Sequence, residues 1–280
     1  MIKYSSQITP DTKVGDLQGW KLVSPAKQER NKTYYEGERK KHKEKEFVFM
    51  KRDFFTEAKQ GLVLGEIGLL LFLARYMKYG DEGKITHNKE RIGVSEIAKL
   101  INKSTKQVRR VLDELEKRSL IFRVKQGRKV YVELSDDLFV CGPLDNKELR
   151  TVKIYKVRLA EVAKELSLNE LGLFMQMLEN MHWKTHVLCH NPDEDETSQL
   201  ILWKRADVCE AFVVKRNFVS RTLGKLMDLR AIGEVRTVNQ GIVLHPSVVS
   251  RKDGGITWDE ICEAIDSGLT KENFKKKKRK

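Results

Sequence analysis

The sequence predicts a mainly helical α+β chain built from two tandem copies of one unit, with basic extensions at both ends. Three observations carry this reading. A core-helix pattern, Leu64-Gly65-Glu66-Ile67-Gly68-Leu69, returns 104 residues later as Leu168-Asn169-Glu170-Leu171-Gly172-Leu173. A pair of short amphipathic helices repeats at an offset of 111. Each pair is followed by alternating apolar residues broken by a glycine-bearing turn, the pattern of a β-hairpin.

Taken in chain order, residues 1–46 form a polar basic arm. Its later part, residues 27–46, holds eight Lys or Arg against five Glu and few apolar residues. Periodic apolar patterning begins at Phe47 and opens the first domain, 47–142. Phe49-Met50-Lys51 leads into the core helix and matches Ile154-Tyr155-Lys156 of the second copy. Both core helices are apolar around much of their circumference, as buried helices are, and run to Met77 and Met181.

In the first copy, residues 94–101 read as a short helix and Asn102-Lys103 as a turn. Ser104 caps a second helix carrying Val108, Val111, Leu112 and Leu115 at helical spacing. In the second copy, Val208, Cys209, Ala211 and Phe212 belong to the first helix, and Val219, Leu223 and Leu226 to the second. The two offsets differ by seven, so seven extra residues are expected within 190–198, where Asn191-Pro192 and four acids mark a loop in solvent. The hairpins are residues 120–124 and 129–132 around Gln126-Gly127-Arg128, and residues 232–238 and 242–244 around Asn239-Gln240-Gly241. A linker, 143–151, separates the domains, and the second domain spans 152–250. In the last segment, 251–280, Thr257-Trp258-Asp259-Glu260 has the form of a capping box opening a short helix to Ser267. Six consecutive cations, 275–280, follow.

The location of the charge points to a class of partner. The chain carries a formal +14, which favours a polyanionic partner. The surplus is localised: residues 95–132 are net +7, 204–244 net +4 and the last ten net +6, leaving the rest net negative. The second helix of such a pair enters the major groove of duplex DNA and needs polar and cationic side chains on its outer face. The first copy offers Ser104, Thr105, Lys106, Gln107, Arg109 and Arg110, with Lys125, Arg128 and Lys129 around the hairpin tip. The second offers Lys215, Arg216, Asn217, Ser220 and Arg221, with Asn239 and Gln240 at its tip.

Ile97-Ala98, Ser104-Thr105 and residues 108–115, followed by Leu120-Ile121 and a basic hairpin, resemble the helix-turn-helix signature of the winged-helix superfamily. The pattern is similar to bacterial regulators of the MarR or GntR kind. It is also similar to phage and plasmid replication proteins of Gram-positive bacteria. Residues 92–132 carry the match most fully, then 47–80. Residues 152–244 depart from it, with Phe218 where a polar residue is usual and Cys209 in place of Ala. The resemblance implies two winged-helix domains and double-stranded DNA as partner. It leaves the process open between transcription regulation, the commoner role, and replication initiation. An RNA-binding or protein-interaction role for the second copy, and self-association through it or the last helix, stay open as well.

Several chemistries find no support. There is no phosphate-binding glycine loop, no dinucleotide fingerprint and no H-E-x-x-H pair, so no catalytic residues and no cofactor are expected, and an enzyme is the least favoured class. His182, His186, Cys189 and His190 lie close together but lack a second Cys/His pair, so an exit loop is expected rather than a metal site. Four scattered cysteines without a CxxC pair suit reduced thiols. No run of eighteen apolar residues and no hydrophobic leader are present, so a cytoplasmic protein without a membrane partner is expected.

Overall fold

The computed structural model describes residues 46–80, 82–144, 150–236, 239–251, 256–267, 270 and 273. The arm up to residue 45, the middle of the linker and the basic run 275–280 lie outside the described residues, as do the readings made of them.

Helices and small sheets alternate in the same order twice. The first copy runs β1 (Phe47–Lys51), α1 (Arg52–Ala58), α2 (Leu64–Ala74), β2 (Thr86–His87), β3 (Glu90–Arg91), α3 (Val94–Leu100), α4 (Thr105–Lys117), β4 (Ile121–Gln126), β5 (Lys129–Leu134) and β6 (Phe139–Val140). The second runs β7 (Thr151–Tyr155), α5 (Lys156–Glu165), α6 (Leu168–Met177), α7 (Arg205–Ala211), α8 (Arg216–Asp228), β8 (Ile232–Arg236), β9 (Gln240–Leu244) and β10 (Val249–Ser250). A last helix, α9 (Trp258–Ser267), follows. Among the described residues no helix is long and apolar enough to cross a membrane.

The two copies are welded together about a near two-fold axis. Their leading strands pair antiparallel at the centre of one sheet, ordered β10-β7-β1-β6. The strands correspond at an offset of 104, one residue off the expected match of Phe49 with Ile154, and the register places Phe49 against this counterpart, Lys153, with Val48 against Ile154 and Met50 against Val152. Val48, Met50, Val152 and Ile154 point inward and are fully buried, as alternation along a half-buried strand requires. The core helices cross backbone to backbone at equivalent glycines. A Cβ on Gly68 would stand 1.8 Å from the Leu168 carbonyl oxygen, and one on Gly172 1.9 Å from that of Leu64. One apolar core runs through both copies from Val48 to Val249. The first residue of each leading helix reaches into the other copy: Lys156 donates to the Met77 carbonyl (2.8 Å), and Arg52 to that of Glu179 (3.5 Å).

Backbone strain repeats too. Asn102 and Val213 take φ of 51° and 52°, and Ser119 and Arg230 of 55° and 52°. The core helices end earlier than expected, at Ala74 and Met177, because Met77 and Met181 leave the helix to bridge Ile85 and Leu188. The insertion is larger than the offsets imply. Four residues separate the paired Thr86 and Arg91, but twelve separate the paired Cys189 and Leu202. One residue is lost just before it, between Met181 and Leu188, which leaves the net seven.

Candidate nucleic-acid interface

In the first copy, α3 and α4 pack through Ile97, Val108, Leu112 and Leu115, all buried. Asn102 supplies the left-handed residue of the turn between them, a conformation its short polar side chain tolerates. Ser104 then starts α4: its hydroxyl accepts from the Gln107 amide (3.2 Å), while the Gln107 side-chain oxygen takes the Ser104 N–H (3.1 Å). This reciprocal box fixes where the helix begins and which residues it turns outward.

Ser104, Thr105, Lys106, Gln107, Arg109 and Arg110 are all exposed, but the helix divides them. Thr105 and Arg109 face the hairpin and line a cleft of about 1030 Å³ with Arg128, Lys129, Tyr131 and Arg91. Gln107 and Arg110 line a different groove, beside the start of α6. Gln107, expected to read a base, has its carbonyl oxygen committed to the cap. The hairpin is a two-residue loop, with Gly127 at φ 60° and Gln126 paired to Lys129. Lys125, Arg128 and Lys129 stand exposed around it.

Glu90 and Glu96 also line the cleft, Glu96 against His87 Nδ1 (3.2 Å), whereas the acids of α4 are paired. Arg123 of β4 bonds Glu116 (2.8 Å) and Asp113 (2.8 Å), pinning the hairpin to α4. The Arg123 hydrogen bond holds the Glu116 carboxyl below its usual range despite partial burial. Among the described residues, Lys106, Arg109, Arg110, Lys125, Arg128 and Lys129 enter no ion pair with these or any other acids. Arg91, not singled out from the sequence, bonds Glu133 (2.5 Å) and lies 4.6 Å over the Tyr131 ring. Its strand belongs to the short β2–β3 hairpin, whose turn residues Asn88 and Lys89 both have positive φ.

The second copy keeps the frame and changes the surface. Lys215, Arg216, Asn217 and Arg221 are exposed and Ser220 is half-buried. Arg221 and Lys225 flank Glu170 at 3.9 and 2.9 Å. Burial raises Glu170, but the Ser167 amide and hydroxyl and the Lys225 ammonium outweigh it and hold the carboxyl low. Phe218, in the place of Gln107, packs against the core.

The second hairpin tip corrects the expectation. Asn239 is buried and donates to the Ile265 carbonyl of α9 (3.2 Å), and Gln240 is half-buried within β9. The cause is α9, which opens with the expected box between Thr257 and Glu260. Its Ile261 and Ile265 bury themselves on Val187, Cys189, Leu202, Val235 and Val243.

The remaining groups serve the fold. His182 is fully buried, with Nδ1 at 2.8 Å from the Thr185 hydroxyl and Nε2 at 2.7 Å from the Glu194 carbonyl. Burial lowers its pKa and pushes the Cys189 thiol up to about 12. The insertion is not simply solvated: Asp193 is gripped by Arg52, by Arg251 (2.7 Å) and by Arg150 (3.0 Å). No known family model, curated protein or solved structure matches the chain.

Proposed function

We propose that the chain binds double-stranded DNA with two winged helix-turn-helix units fused about an internal two-fold. The observation that carries this is the cation set of the first copy. Arg109 on α4 and Arg128 and Lys129 on the hairpin line one open cleft with Arg91, and Lys106, Arg110 and Lys125 stand exposed on the same two elements, while Asp113 and Glu116 are held by Arg123. A helix with such a face fits the major groove, and the hairpin cations suit the adjacent phosphates. Thr105, with the amides of the helix start, suits a phosphate as well.

The near two-fold gives the target a shape. Two units related by such an axis meet B-DNA as the halves of an inverted repeat. Because Thr105, Lys106, Arg109 and Arg110 face Arg216, Asn217, Ser220 and Arg221 as counterparts, the two halves differ in sequence. A single chain then binds a whole site. Transcription regulation in a prokaryote or phage is the role we assign, and binding of origin repeats by a replication initiator is the rival.

Selection from a random duplex pool followed by footprinting tests this reading. The expected result is an imperfect inverted repeat with half-sites about 10 bp apart or a multiple of that, bound one chain per duplex. Equal affinity for every duplex would overturn sequence reading. A footprint over one half-site only would make the second copy a protein-interaction module, an outcome that the burial of Asn239 under α9 favours. The genomic setting of the site, promoter or origin, separates the two roles.

A further inference from the structure

One corner of the shared frame is filled in the second copy and open in the first. In the first copy a groove of about 870 Å³ runs between α4 and the corner where α5 meets α6. Its apolar lining includes Leu69, Phe72, Val108, Val111, Leu166 and Leu168. Val111 is only half-buried there, and so is Glu66. Their counterparts in the second copy, Thr222 and Glu170, are buried, at 0% and 2% exposure. The residue one turn before this position differs as well: Gln107 in the first copy, Phe218 in the second. Phe218 packs against the core, with the Arg221 guanidinium 6.0 Å from its ring. Gln107 instead turns back to cap Ser104 and stays exposed. The first copy therefore lacks the cover that the second one carries.

The second copy also shows what fits such a corner: a phenyl ring. An aromatic side chain buries about 150–250 Å², so a ring set beside Val111 gains a large apolar contact. The groove has room for more than one ring, which favours a segment of chain over a lone small aromatic. Its rim is cationic. Lys103, Arg110 and Lys164 line it, all three are exposed, and among the described residues they enter no ion pair. Glu66, an acid of the lining, has its carboxylate on the Val63 N–H (2.9 Å).

We infer that this groove receives an aromatic side chain from an acidic segment of a partner protein. The ring takes the place that Phe218 holds in the second copy, and Lys103, Arg110 and Lys164 meet the carboxylates beside it. Opposite charge across the rim steers such a segment in and rejects a basic one. The groove is separate from the cleft lined by Thr105 and Arg109, so the inference does not rest on the duplex-binding reading.

The test pans random short peptides displayed on phage against the immobilised full chain and measures the selected ones by fluorescence polarisation. The expected consensus is one Phe, Tyr or Trp flanked by Asp or Glu, with affinity that falls as salt rises. Gln107→Phe should supply the missing cover and weaken these peptides about tenfold or more. Lys103→Glu combined with Lys164→Glu should weaken them by a similar factor and remove much of the salt dependence. Both positions are exposed, so this pair reads the groove even where Gln107→Phe fails to fold. No enriched peptide, or a consensus without the aromatic or without the acids, would overturn the inference. So would peptides that bind both variants as tightly as the unaltered chain. Equal affinity for N-acetylphenylalaninamide would make the groove a small-molecule pocket and overturn the partner segment. No DNA is present in these measurements, so their failure leaves the duplex-binding reading standing, and a failure of that reading leaves this one.

Discussion

The outer faces of the two hairpin sheets occupy the same place in their copies and meet opposite fates. The first presents Lys84, Thr86, Arg91 and Glu133, and the second presents Val187, Cys189, Leu202 and Val243 at the matching bridge positions. In one, Arg91 and Glu133 pair, and all four residues stay only half-buried. In the other, the apolar set has nothing to gain from water and is sealed by α9. The backbone tolerates both, so the side chains alone decide which hairpin is free to meet a ligand. The comparison teaches that one backbone frame carries two different surfaces. One copy keeps its cations in the open, and the other turns its hairpin into a docking site for the chain's own helix.

The shared frame is the place for the largest effect. Gly68→Ala should cost about 3 kcal/mol or more, because its Cβ falls inside the Leu168 carbonyl and neither backbone can yield without parting the core helices. Denaturant unfolding measures this. A near-neutral result would mean that the copies are not welded at this crossing. Next is the seal. Ile265→Ala should cost about 2–4 kcal/mol, since Ile265 is fully buried between α9 and the second hairpin. Arg91→Ala in the first copy should change stability far less. Equal losses would erase the distinction between an open and a covered hairpin.

The helices proposed to face DNA sharpen the comparison at a smaller scale. Arg109→Ala should weaken the selected site by about 1–3 kcal/mol and relax base preference in one half-site. Gln107→Ala should act mainly on stability, by about 0.5–1 kcal/mol, through the Ser104 cap. The reverse ranking in binding assays would return Gln107 to the interface. The insertion of the second copy adds a pH signature of its own. The Asp193 carboxyl is raised by burial but drawn down to about 2 by hydrogen bonds from Arg52 and Arg251. Its contribution is present in full above about pH 4 and is lost as pH falls toward 2. Asp193→Asn should flatten that limb of the stability profile, and an unchanged limb would show that the arginines do not depend on it.

How much of this was legible follows from how local each signal is. Ser104 with Gln107, Thr257 with Glu260, and Gly127 act within a few residues, so the cap, the last helix and the first turn stand in the sequence. The β2–β3 hairpin does not, because Asn88-Lys89 takes left-handed geometry without the Asn-Gly pair that announces it. Gly68 and Gly172 were visible as a matched pair, but their reason lies in the partner helix. The fate of Asn239 depends on Ile265, twenty-six residues on. The apolar residues Leu200 and Leu202, which cluster with Val187 and Cys189, were the available sign that the second hairpin face needs a cover.

The finest cut is at Gly224. It lies within α8, where Asp113 stands in α4, and a Cβ there would meet nothing within 4 Å. Packing therefore does not require glycine. A glycine inside a helix costs up to about 1 kcal/mol relative to alanine. Gly224→Ala should then stabilise the free protein by up to that amount, read as a higher unfolding midpoint. If α8 approaches a DNA backbone closely at this point, the same change should weaken binding of the second half-site and leave the first untouched. The two readouts move in opposite directions, which no general effect on folding can produce. A variant that is both more stable and equally tight on DNA would show that α8 stands off the duplex at Gly224, and that the second copy touches DNA only through the residues at the start of that helix.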